Sequence, residues 1–412
     1  MKTCFLKTFS LFFLLSFFTT LFAQDERAQI PKILKNAYFE VNIGSIDYDF
    51  TRCTPEAGFS LQSLKTPHTA VRLVLFGYEF NKYLSAQVTY MRPVSWVKYY
   101  YKNDVSNLTS QRTVWMNVGG LTLKPQLPIN DRLSIYGEAG LGIVTRSGFK
   151  DHEKDLFVVT NANYANLLFG GGVKYRINKG LSLQMSSAYS PAKPSVKQPA
   201  TSFIAAGFSY KLQPVSEQKL AKAAEVGYIH PKHMFQIGYS TNVLGYGINN
   251  YVSSDKFPIF WGGEAEVYQG VSLSYQQNIY HTAKVFSLDW GISSSYWQSK
   301  GFGSGLSNPN KQDFFTISVF PVIRFTLLHT KPLDAYFYYS IAGPTYISRT
   351  IIDSENTGKH FTFQDNMGAG IHFGKNRNYN AELMIGHYSN GNVFPNNDAV
   401  KVPLTFKIGY NL

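Results

Sequence analysis

Strict two-residue alternation, sustained over long runs, constrains this chain more than any other feature. In 132–144, Leu133, Ile135, Ala139, Leu141 and Ile143 share one parity, and Ser134, Tyr136, Glu138, Gly140 and Gly142 the other. In 283–297, Phe286, Leu288, Trp290 and Ile292 oppose Ser287, Asp289, Gly291 and Ser293. In 313–327, Phe315, Ile317, Val319, Ile323 and Phe325 alternate with Thr316, Ser318, Phe320, Val322, Arg324 and Thr326. Period two places successive side chains on opposite faces of a strand. Strands of soluble sandwiches also alternate, but they run to about 5–6 residues. These runs are longer and match the roughly 9–11 residues that cross a bilayer at a tilt. An aliphatic and aromatic face opposite Ser, Gly, Asp and Arg reads as lipid outside and polar interior, the pattern of a transmembrane β-barrel. The 28 Tyr, 32 Phe and 33 Gly, with only 16% charged residues, fit that class.

The first half gives strands near 37–49, 69–81, 84–97, 112–125, 132–145, 162–177, 180–189 and 200–212. The second gives 232–243, 261–277, 283–297, 313–327, 333–346, 358–374, 378–389 and 401–412. The connections alternate in length: 81–82, 128–131 and 178–180 are short, whereas 50–68, 98–111, 146–161 and 190–199 are long. The second half repeats this, with short turns at 278–282, 328–332 and 375–377. Outer-membrane barrels have short periplasmic turns and long external loops. Even strand numbers then bring both termini of each half to the periplasmic end. The preferred architecture is all-β: two tandem eight-stranded antiparallel outer-membrane barrels, 24–212 and 229–412, joined by a polar periplasmic linker at 213–228. A single sixteen-stranded barrel is the rival.

The N-terminus pairs Lys2 and Lys7 with an apolar run from Phe9 to Phe22 that ends at Ala23, before Gln24-Asp25-Glu26. This is the form of a secretory signal peptide over 1–23, with a membrane anchor as the alternative reading. Beyond it Cys53 is the lone cysteine, so the mature chain forms no intramolecular disulfide and offers no cysteine cluster for zinc or iron–sulfur. The formal charge of +13 suits phosphate-bearing partners, of which lipopolysaccharide is the obvious one in an outer membrane. Loop lysines that only confer solubility explain the charge equally well. No nucleic-acid-binding motif is present.

Chemistry concentrates in Asn380–Lys401, NAELMIGHYSNGNVFPNNDAVK. Ala381, Leu383 and Ile385 hold the lipid-facing parity, and His387 and Ser389 continue it. An imidazole and a hydroxyl therefore project from one face, on the outside of the barrel, where a strand enters a long loop. Cα atoms two apart on a strand lie about 6.5–7 Å apart. The imidazole can then serve the hydroxyl as general base. Asn390, Gly391 and Asn396 are the nearby candidates for binding an oxyanion. Polar rim residues that merely contact headgroups give the same spacing.

His387-Tyr388-Ser389-Asn390, followed by Pro395-Asn396 and a final strand, resembles the signature of the PagL-type lipid A 3-O-deacylase family. The resemblance covers about residues 229–412, and Trp290 and Trp297 are compatible with it. It implies an eight-stranded barrel that hydrolyses an acyl ester of lipid A, with Ser389 as nucleophile, His387 as base, and Asn390, Gly391 and Asn396 near the oxyanion. The family's acidic residue falls near the start of the last strand, where this chain has Val400 and Lys401. Asp398 is the nearest carboxylate, shares the parity of Val400, Val402 and Leu404, and is assigned the orienting role. No metal or organic cofactor is implied. The expected partners are lipid A or lipopolysaccharide and the outer membrane, reached by secretion through the periplasm; self-association into a homo-oligomer stays open. The competing expectation is a non-catalytic structural or lipopolysaccharide-binding barrel. A diffusion pore would need one large barrel.

Overall fold

The computed structural model describes residues 30–31, 34–151, 156–253, 262–301, 310–391 and 396–412. The signal peptide expected over 1–23 lies outside the described residues. The first barrel is built from β1 (Ala37–Asp47), β2 (Thr69–Asn81), β3 (Leu84–Pro93), β4 (Thr109–Pro128), β5 (Leu133–Ser147), β6 (Ala162–Arg176), β7 (Leu181–Ser190) and β8 (Thr201–Lys211). The second uses β9 (His233–Thr241), β10 (Ala265–His281), β11 (Phe286–Ser299), β12 (Asp313–His329), β13 (Leu333–Ile347), β14 (Phe361–Phe373), β15 (Tyr379–Ser389) and β16 (Val400–Asn411).

Both rings close on themselves. β1 pairs antiparallel with β8, Tyr38 opposite Lys211, and β9 pairs with β16, Phe235 opposite Tyr410. Those two closures exclude the single sixteen-stranded barrel. Closure gives every spanning strand a hydrogen-bonded neighbour on each side, which a lipid environment demands. Among the described residues no helix is long and apolar enough to cross a membrane; the crossing elements are strands.

Side chains at the short turns explain why those turns form. The Asn81 carboxamide oxygen accepts from Tyr83 N at 2.8 Å, and Asn178 Oδ1 from Gly180 N at 2.9 Å. Asn130 Oδ1 accepts from Arg132 N and Leu133 N at 2.9 and 2.8 Å. These local bonds stand in for the ladder at the reversal. The expected long loops 50–68 and 98–111 contain more order than the sequence reading gave them. Val97–Asn103 pairs with the start of β4, and Phe59–Lys65 pairs with Val97–Asn103, so the sheet continues past the barrel wall. The linker 213–228 carries α1 (Glu217–Glu225). It is seated on the short-turn end of the second barrel, where Tyr228 stacks on His329 at 3.9 Å and Tyr280 Oη donates to Gln213 O at 2.9 Å.

Alternation sorts the side chains as the sequence predicts. Leu121, Leu141, Met185 and Ile204 are exposed on the first barrel's outer wall, while Glu40, Arg72, Lys124 and Glu138 are buried inside. The interior charges are paired: Arg72 with Glu138, and Lys124 with Glu40 at 2.8 Å. Thr122 Oγ1 also donates to Glu138 at 2.8 Å. In the second barrel Arg324 pairs with Asp289 and donates to Gln276 at 2.8 Å, and Tyr336 Oη donates to Glu382 at 2.8 Å. Side chains fill these interiors, as expected for eight strands. Removing one partner of such a pair strands the other charge. Glu138→Ala is expected to lower stability by about 3–5 kcal/mol, read as a shift of the urea transition of the vesicle-inserted protein by tryptophan emission. A loss below about 1 kcal/mol would show that the pair does not hold the interior together.

Candidate active site on the outer wall of the second barrel

Parity runs unbroken along β15. Tyr379 and Leu383 are exposed on the outer wall, whereas Asn380, Glu382 and Tyr388 are buried inside. His387 and Ser389 belong to the outward series. Ser389 is half-buried. His387, although outward, is only 3% exposed, so something covers the wall at that point.

The cover comes from the loop between β9 and β10. Glu264 N donates to Asp398 O at 2.8 Å and Ala265 N to Ala399 O at 3.1 Å. Ala265 and Glu266 then run parallel to Val400 and Lys401. This backbone pairing carries Gly262 to His387, whose ring is hydrogen-bonded to the Gly262 backbone. Beside it, α2 (Gly247–Val252) lies on the wall. Asn249 Nδ2 donates to Val402 O at 2.9 Å, and Val252 packs with Met367 and Ile385.

Ser389 is held by different groups. Asn397 Nδ2 donates to Ser389 Oγ at 2.9 Å, Ser389 Oγ donates to Asn397 Oδ1 at 3.2 Å, and Gly391 N donates to Ser389 Oγ at 3.1 Å. Gly391 takes a left-handed φ of 61° that turns its N–H back on the serine. The imidazole and the hydroxyl are thus bonded to different groups, His387 to Gly262 and Ser389 to Asn397 and Gly391.

The remaining predicted site residues fall apart from the serine. Asn390 is fully buried, and its Nδ2 donates to Thr357 O at 3.2 Å and Asn396 O at 2.8 Å. Its amide is spent on shaping the loop. Asn396, at a left-handed φ of 62°, contributes that carbonyl. Asn397, which touches the serine, is absent from the sequence-derived set because no parity or motif separates it from its neighbour.

Asp398 accepts from Asn356 N at 2.7 Å and so fastens a different loop. The outward parity expected for it, shared with Val400, Val402 and Leu404, is corrected by a bulge. Met384 pairs with Thr405 but Gly386 pairs with Val402, so β16 carries an extra residue around Pro403. A proline lacks the N–H that a regular ladder position needs and is tolerated at a bulge. The bulge flips the strand's parity: Val400 and Val402 pack inward with Trp297 and Tyr388, and Lys401 becomes the cross-strand partner of His387. The Lys401 ammonium donates to Asn250 at 3.2 Å and pairs with Glu266 at 3.3 Å. Pro403 was the available signal for the change of face.

Among the described residues no group of three or more His, Cys, Asp or Glu side chains is arranged to hold a metal ion. What the rim offers is a serine oxygen facing two N–H donors, a nearby imidazole, and an apolar wall below.

Two family matches fall on this chain, one on each barrel. Residues 269–402 match the family described as lipid A 3-O-deacylase (PagL), and residues 38–216 match the OmpA-like transmembrane domain. No curated protein matches the chain. Among solved structures the chain is similar to the outer membrane enzyme PagL, at 15% identity and a TM-score of 0.30, over 44% of this chain and 99% of that one. Neisserial surface protein A gives 16% identity and a TM-score of 0.29, over 43% and 97%. The N-terminal β-barrel domain of Pseudomonas aeruginosa OprF gives 14% and 0.27, over 43% and 98%. By its family match, the C-terminal domain of this chain belongs to the lipid A 3-O-deacylase (PagL) family, and the N-terminal domain is an OmpA-like transmembrane barrel.

Proposed function

We propose that the second barrel is an outer-membrane esterase that removes one fatty acid from lipid A, with Ser389 as nucleophile and His387 as general base. The observation that carries this reading is the setting of Ser389: an outward-facing hydroxyl at the barrel rim, approached by Asn397 Nδ2 at 2.9 Å and Gly391 N at 3.1 Å. The rim is where ester-linked acyl chains meet the headgroup region.

In the reaction His387 exchanges its bond to Gly262 for one to the serine. Ser389 Oγ bonds to the ester carbonyl carbon as its proton passes to the imidazole. The carbonyl oxygen becomes an anion beside the Gly391 and Asn397 donors, the arrangement that stabilises a tetrahedral intermediate. The C–O bond of the ester breaks, and the imidazolium returns its proton to the departing sugar alkoxide. Water, activated by the same imidazole, then splits the acyl-enzyme into free fatty acid and Ser389. The basic balance of the chain, +13 overall, is compatible with a phosphate-bearing glycolipid as substrate.

A second reading, a non-catalytic lipopolysaccharide-binding or structural barrel, draws support from the bond between His387 and Gly262. Mass spectrometry of lipid A incubated with the purified protein separates the two. The esterase reading expects the loss of one acyl chain; an unchanged lipid A spectrum with folded protein would leave the binding reading. Ser389→Ala is expected to lower the rate by at least about 1,000-fold. Asn397→Ala is expected to lower kcat by about 100- to 1,000-fold, as for loss of one oxyanion donor, and an unchanged kcat would remove Asn397 from the mechanism.

A further inference from the structure

A serine activated by an imidazole works best when a third group fixes the ring's tautomer and orientation. The carboxylate assigned from sequence, Asp398, is engaged with Asn356 N. Of the two residues flanking His387 across the sheet, the one on β16 is Lys401 and the one on β14 is Asp365. We propose that Asp365, directly opposite His387 in the register, is the carboxylate that orients the imidazole. The proposal rests on the esterase reading above and names the third member of that site.

Three observations carry it. Directly paired residues of antiparallel strands place their Cβ atoms about 4.5–5.5 Å apart on the same face, within side-chain reach of an imidazole. Asp365 lies on the outward parity of β14, with exposed Phe361, Ala369 and Phe373, whereas Thr362, Gln364 and His372 are buried inside. It is therefore a carboxylate on the wall that an ordinary barrel gives to lipid. A charged side chain there costs stability, and an ionisable group at membrane depth marks a functional site by default.

The second observation is how it is held. Ala342 N donates to Asp365 Oδ1 at 2.7 Å. Ala342 sits in a break of the β13–β14 register between Ser340 and Gly343, with a left-handed φ of 53°. A non-glycine residue in that conformation is held there by its surroundings at some cost, and bulges of this kind re-aim groups next to active sites. One carboxylate oxygen is thus fixed to the backbone. A carboxylate accepts through both oxygens, which leaves the other for an imidazole N–H.

The third is cover. Asp365 is only 8% exposed despite its outward parity. Tyr90, on the outer wall of β3 in the first barrel, lies within electrostatic range of Asp365, and Arg92 within range of Tyr339. The adjoining outward residues Met367 and Ile385 pack with Val252 of α2, so the wall beside the carboxylate is covered.

The test compares full-length protein, Asp365→Asn, Asp365→Glu and Ser389→Ala in fatty-acid release from hexa-acylated lipid A in mixed micelles. Heat-modifiable gel migration confirms that each is folded. Asparagine keeps the acceptor for Ala342 N, so the fold is retained. Asp365→Asn is expected to lower kcat by about 100- to 10,000-fold with KM within about threefold, and Asp365→Glu to recover activity to within about tenfold of the parent. Parent-like kcat in Asp365→Asn, with Ser389→Ala inactive, overturns the role of Asp365 and leaves the esterase standing. A fall shared by Asp365→Glu, or one expressed in KM alone, reduces Asp365 to a structural residue and also overturns it. A folded parent that releases no fatty acid sinks the esterase reading and this proposal with it.

Discussion

Backbone hydrogen bonding in a medium without water governs everything else in this molecule. Each spanning strand must find a partner on both sides, and a ring is the arrangement of strands that leaves no edge. The chain meets the demand twice, at the β1–β8 and β9–β16 seams. Once the rings close, period two fixes which side chains meet lipid. Polar residues are then confined to the interior, where Arg72–Glu138, Lys124–Glu40 and Arg324–Asp289 pair. Because these side chains fill the interior, the surface a barrel of this size leaves open to a lipid is its outer wall.

That constraint explains the character of the candidate site. Its groups are displayed on a convex surface, and a pocket has to be assembled from loops. The strip 264–266 zips onto 398–401, bringing Gly262 to His387, and the loop after β15 folds back to place Asn397 and Gly391 on Ser389. Precision is supplied by rigid strands for the imidazole and serine, and by left-handed residues such as Gly391 and Ala342 for the donors.

Much of this was legible in the sequence, for a physical reason. Alternation in a membrane strand is enforced by lipid on one side and packed polar groups on the other, so the barrel strands and the faces of His387 and Ser389 could be read directly. Parity survives as long as the ladder is regular. It failed for Asp398, Val400 and Val402 because the bulge at Pro403 shifts the register by one residue, and one residue exchanges the faces. Asn397 and the cover over His387 depend on loop conformations and on contacts between segments far apart in sequence, which periodicity does not encode. The strands Phe59–Lys65 and Val97–Asn103 were missed because they extend the sheet beyond the wall, where lipid no longer imposes a pattern.

The even strand count of each barrel has a further consequence. Entry and exit lie at one end, and the linker at 213–228 is seated on the short-turn end of the second barrel through Tyr228 and Gln213. The two barrels therefore stand the same way up, joined by a segment of sixteen residues, 213–228. A short tether holds its two modules at an effective mutual concentration on the order of millimolar. Neighbouring proteins in a crowded membrane compete poorly with a partner held that close. The first barrel thus behaves less as a separate membrane protein than as a resident wall of the second, present at the same flank whatever the abundance of the chain.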